Sequence, residues 1–72
     1  MSRQNDIEKI TRQLHDAVLM FQIEQVTLEY LEELMHLPTL YLSDLVHEME
    51  RDGIVIVDRK TIPFAISLVA RE

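Results

Sequence analysis

Apolar residues recur at steps of three and four through the first two-thirds of the chain and then give way to β-branched runs. The first stretch holds Ile7, Ile10, Leu14, Ala17, Val18 and Phe21 at helical spacing, with Lys9, Arg12, Gln13 and Asp16 largely outside the stripe. One apolar face at a period near 3.6 predicts an amphipathic helix. Asn5 as cap, with Glu8 three residues on, sets its expected start. The second half departs from the pattern, because Ala17-Val18-Leu19-Met20-Phe21 is an unbroken apolar run. A helix apolar around most of its circumference needs cover on more than one side. Two arrangements supply it. Leu19 and Met20 tuck under the strands that follow, or the helix pairs with a second copy through Ile7, Leu14, Leu19 and Met20.

Ile23 and Val26 suit a very short strand. Thr27 then caps a second helix, with Glu29 in its first turn, where the helix dipole favours an anion. Leu28, Leu31, Leu34 and Met35 form its inner face, and Glu29, Glu32 and Glu33 make its outer face acidic. Pro38 disfavours helical geometry at Leu37, so this helix ends by His36. A third helix runs from about Thr39 to Asp52, with Leu42, Leu45, Val46 and Met49 inward. Gly53, the only glycine, ends it. Ile54 to Asp58 reads as a strand, Asp58-Arg59-Lys60-Thr61 as a turn, and Ile62 to Val69 as the returning strand. Phe64, Ile66 and Leu68 share one face, and Pro63 belongs at a strand start or an edge. The whole of 1–72 reads as one α+β domain, three helices followed by a two-stranded hairpin.

The middle of this pattern resembles the winged helix-turn-helix superfamily. Leu31, Met35, Leu37, Leu42 and Leu45 stand where that motif wants apolar residues. Met49-Glu50-Arg51-Asp52-Gly53-Ile54 is similar to the close of the recognition helix in MarR-type bacterial regulators. The resemblance implies that the hairpin is the wing and that the third helix approaches the major groove of DNA. Two positions depart from the family pattern. Glu32 stands where a small residue is usual, and His36 where the turn usually has glycine.

Charge complicates that implication. Lys and Arg number 7 against 13 Asp and Glu, a net charge of −6. Such a chain repels phosphate unless its cations are gathered on one face. The outward positions of the third helix are Thr39, Tyr41, Ser43, Asp44, His47 and Glu48, none of them Arg, Lys, Asn or Gln. Thr39, Tyr41, Ser43 and His47, with Arg51, Arg59 and Lys60, are the residues expected to meet DNA. Tyr41, like Tyr30, also suits packing between helices. Two functions follow, the first leading and the second its alternative. One is a small transcription-regulator-type DNA-binding protein acting as a homodimer through the first helix. The other is an interaction module that takes a protein partner on the acidic face of the second and third helices.

Other chemistries find little support. There is no cysteine, which removes disulfides and thiolate metal sites. His15, His36 and His47 fall on different elements, and Asp44 with His47 and Glu48 is a spacing common on solvated helices. One glycine cannot build a phosphate-binding loop. No enzyme, cofactor or metal is therefore expected. The start lacks the apolar core of a signal peptide and no run is long enough for a bilayer, so a cytoplasmic setting is expected, without membrane partners.

Overall fold

A computed structural model describes residues 2–69. Three helices lead into one hairpin: α1 (Arg3–Phe21), α2 (Leu28–Met35), α3 (Thr39–Arg51), β1 (Val55–Asp58) and β2 (Ala65–Leu68). This is the α+β winged helix-turn-helix layout.

Helix α1 starts three residues earlier than the Asn5 cap predicts. Ser2 is the cap, and its Oγ accepts a hydrogen bond from the Asn5 N–H at 3.0 Å. Both residue types cap helices well, and the upstream one adds a turn that carries Arg3 and Asp6. Thr27 caps α2 as expected, accepting from the Tyr30 N–H at 3.2 Å. Helix α2 stops at His36, which takes the left-handed conformation with φ 55°. The imidazole residue thus does what glycine usually does in this turn, at some steric cost. Gln22 ends α1 in the same way, with φ 56°. Gly53, at φ 78°, makes the turn from α3 into β1.

The core lies between the helices and the hairpin. Ile7, Ile10, Leu14, Leu31, Leu42, Leu45, Val46, Met49, Val55 and Ile66 are all buried within one cluster. Helix α1 packs on α3 and β2, and α3 packs on α2 and β1. The inner stripe expected for α3 is buried in full. In α2, Leu31 is buried and Leu28 and Met35 pack against the cluster, but Leu34 is exposed. In α1 the buried stripe stops at Ala17; Val18 and Phe21, placed on it by spacing, are exposed. The helix is longer than the core that it covers.

The hairpin is antiparallel, with Val55 opposite Leu68 and Val57 opposite Ile66. Both strands are shorter than expected, and the wing loop is correspondingly longer. Within it the Ile62–Pro63 bond is cis. Phe64 lies outside β2 and is exposed, whereas Ile66 is buried and Leu68 half-buried. Val26 pairs with Ile66 through two backbone hydrogen bonds, of 2.8 and 2.7 Å. That bridge is the short strand expected near this point, reduced to one residue without Ile23. No helix among the described residues is long and apolar enough to cross a membrane.

Candidate functional site

Most of the residues expected to form a site lie on α3 and on the hairpin loop beside it. Pro38 heads α3 with no side-chain cap, so Thr39 opens the exposed surface. Its hydroxyl is turned back onto α2, donating to Glu32 Oε1 at 2.7 Å. That bond gives Glu32 a role at the position where a small residue is usual. Leu40, which follows, is 86% exposed, an apolar side chain at the head of the helix.

Tyr41 does not face outward as its place among the outer positions suggested. It is half-buried against the core, and its hydroxyl donates to Asp6 Oδ2. This hydrogen bond first, and burial second, raise the Tyr41 pKa above the ordinary tyrosine range. Asp6 is the buried charged residue among those described, at 4% exposure. A carboxylate so placed needs a donor, and Tyr41 supplies it.

Two arginines are held by carboxylates of α3. Arg3, from the first turn of α1, reaches Asp44 Oδ2 at 3.0 Å and Glu48 Oε1 at 2.6 Å. Arg59, from the wing, grips Glu50 with both terminal nitrogens at 2.6 Å each. Its guanidinium also stands 5.9 Å from the Phe64 ring centre, within cation–π range. Hydrogen bonds from Arg59 lower the Glu50 pKa, and the same pairing raises that of Arg59. Surface pairs of this kind stabilise a fold little. Their consequence here is electrostatic. An arginine already bridged to a carboxylate must leave it before it can take a phosphate.

Ser43 and His47 remain exposed on α3 and, with Arg59 of the wing, line one small cavity of about 120 Å³ floored by Val57 and Ile66. His47 Nδ1 lies 3.9 Å from Glu50 Oε1. Arg51 and Lys60 are exposed, and among the described residues neither enters an ion pair. The Lys60 N–H donates to Asp58 Oδ1 at 2.9 Å, which shapes the start of the loop. The structure thus brings Ser43, His47 and Arg59 together, and holds Thr39 and Tyr41 to other elements.

The expected pairing surface divides as well. Leu19 and Met20 are exposed, at 67% and 69%. Ile7 and Leu14 are not available to a second copy, because they are buried in the chain's own core. They stand on the stripe that α1 turns toward α3 and β2. Leu19 and Met20 are not tucked under the strands either.

Arg3, Asp6 and Glu50 were not singled out by sequence. A signal existed for the first two, since stepping back from Ile10 by helical spacing reaches Asp6 and then Arg3. A concavity of about 720 Å³ runs between α1 and the hairpin, with Glu8, Arg12 and His15 exposed along it and Ile54 and Leu68 beneath. No group of three or more potential metal ligands gathers among the described residues. No protein-family model, curated protein or solved structure matches this chain.

Proposed function

We propose that this chain is a member of the winged-helix superfamily that works by binding protein in the cytoplasm and does not read DNA on its own. One observation carries the reading. The carboxylates Asp44, Glu48 and Glu50 line the flanks of α3, and they engage both Arg3 and Arg59. A recognition helix that binds phosphate and base edges needs the opposite arrangement, with donors outward and cations free beside it. Exposed apolar side chains at Leu40 and at the end of α1 fit protein contact better than contact with a polyanion.

The test is fluorescence anisotropy of a labelled mixed-sequence duplex, titrated at low and then at higher salt. The expected result is no binding at low salt. Binding that weakens steeply as salt rises would overturn the reading, and the slope would count the phosphates engaged.

A second reading rests on Arg51 and Lys60, exposed and outside any ion pair among the described residues. In it the protein is a small transcription-regulator-type DNA binder. Arg59 exchanges Glu50 for a phosphate, Ser43 and His47 contact the backbone, and affinity is modest and salt-sensitive. Replacing Arg59 and Lys60 together by Ala then abolishes binding without loss of fold, since both are exposed. Undiminished binding by that double variant rules out the wing contact.

A further inference from the structure

We infer that the groove between α1 and the turn joining α2 to α3 is a docking site for an acidic segment of a partner protein, one that carries carboxylates beside a large apolar side chain. This rests on the protein-binding reading and gives that partner a place and a chemistry. The groove measures about 490 Å³. On one side α1 supplies Lys9 and Arg12. On the other, the end of α2 and the turn supply Leu34, Met35, His36 and Leu37. Leu34 is the informative apolar residue. Helical spacing puts it on the inner face of α2 with Leu31 and Met35, yet 39% of it stays exposed. The core stops short of it, so an apolar wall faces water across from two cations. Met35 and Leu37, half-buried, pack on the core and hold that wall in place.

The second observation is charge. Lys9 and Arg12 are exposed and one turn apart, which makes them neighbours on one face of α1. Among the described residues neither enters an ion pair or a side-chain hydrogen bond. Arg3 and Arg59, by contrast, are held by carboxylates. Arg51 and Lys60 are unpaired too, but they stand on separate elements, the end of α3 and the wing loop. A purely structural role for Lys9 and Arg12 would be to offset the carbonyl end of α2, whose last turn has no basic residue. Neither bonds to those carbonyls. The one carboxylate along the groove is Asp6, which is buried and accepts from Tyr41, so it leaves both cations unanswered. A net charge of −6 repels an acidic partner from most other approaches. That contrast fixes where such a partner settles more than how tightly it binds.

His36 adds a third polar group. Its left-handed backbone, which glycine would adopt with less strain, carries an exposed imidazole along the groove. A neutral imidazole still donates through one ring N–H. Cations alone would suit a nucleic acid as well. The apolar wall would not, because a phosphate backbone gains nothing from Leu34. A carboxylate-bearing segment with a Leu or Phe uses both sides of the groove at once.

NMR of the isotope-labelled whole chain tests this. It is titrated in turn with a short peptide of Glu interspersed with Leu and Phe, with the same peptide carrying Lys for every Glu, and with a mixed-sequence DNA duplex. The acidic peptide is expected to give saturable shifts at Lys9, Arg12, Leu34 and His36, and its Lys counterpart none. Lys9→Ala with Arg12→Ala weakens binding about tenfold, with unchanged circular dichroism because both side chains are exposed. His36→Gly weakens it about threefold. An acidic peptide that leaves the groove resonances in place overturns the inference. So does binding of the Lys peptide there, or acidic-peptide binding undiminished in the double alanine variant. Groove shifts caused by the duplex assign the groove to nucleic acid, and groove shifts that grow with protein concentration alone assign it to a second copy; either overturns the acidic partner. The duplex also separates this from the function reading. Duplex shifts confined to α3 and the wing refute that reading while the peptide result stands. A groove silent to the peptide, in a chain that ignores the duplex, refutes the acidic partner alone.

Discussion

The carboxylate of Asp6 and the hydroxyl of Tyr41 are 35 positions apart in the chain and depend on each other. Tyr41→Phe leaves the buried carboxylate without this donor, and the urea midpoint at neutral pH should fall. The raised Tyr41 pKa sets the pH dependence. The folded state holds this proton more tightly, so its contribution is complete below the ordinary tyrosine range and is lost as pH rises through the raised value. An alkaline limb equally steep in wild type and Tyr41→Phe would sink the assignment. Glu50 has the opposite sign. Its pKa is lowered by Arg59, so its contribution is present above the ordinary carboxylate range and is lost as pH falls through the lowered value. Glu50→Gln should flatten that acid limb, weakly, because the pair sits at the surface and is screened by salt. The largest effects belong to the core. Ile10 has no exposed surface, and Ile10→Ala should cost about 2–5 kcal/mol in a denaturant titration.

Among the elements, α2 shows how local chemistry sets boundaries. It has eight residues, too few to persist alone, so both ends matter. Thr27→Ala removes the hydrogen bond to the Tyr30 N–H and should cost about 1 kcal/mol. At the other end His36 is strained in its left-handed conformation, with an exposed side chain. His36→Gly should gain up to about 1 kcal/mol, the relief of the strain less the entropy that glycine adds to the unfolded chain. A thermal midpoint that falls in His36→Gly would show that the imidazole does more than end the helix. Helix α1 raises the complementary point. Its final turn keeps helical form past Ala17 without any core beneath it.

For the molecule as a whole, the hairpin closes a core that the helices only begin. Val55 and Ile66 are buried in the same cluster as Ile10 and Leu45, and Val26 is joined to Ile66 by backbone hydrogen bonds. A chain cut after Gly53 should therefore lose cooperative thermal unfolding in circular dichroism. A sharp transition in that fragment would mean that the helices form a core without the hairpin. Charge is also a property of this scale. The excess of carboxylates over cations is visible as a count, but its effect on α3 depends on which cations sit beside it. Arg3 arrives from the far end of the chain, 45 positions from Glu48.

The order of elements, the caps at Thr27 and Gly53, and the inner stripe of α3 were legible because each rests on neighbours within a few positions. Hydrophobic spacing, a capping hydroxyl and a left-handed glycine act over one or two turns, and sequence records them directly. The face that each helix buries follows from the same periodicity. How far along the helix that burial extends does not, which is why Val18 and Phe21 were placed inside and are exposed. The candidate site was less legible for a related reason. Periodicity tells which side chains share a face but not which element lies opposite it. The pairing of Tyr41 with Asp6, of Arg3 with Asp44 and Glu48, and of Arg59 with Glu50 arises only when α1, α3 and the wing meet in space. Those meetings turn a helix face with few donors into one whose carboxylates already hold Arg3 and Arg59.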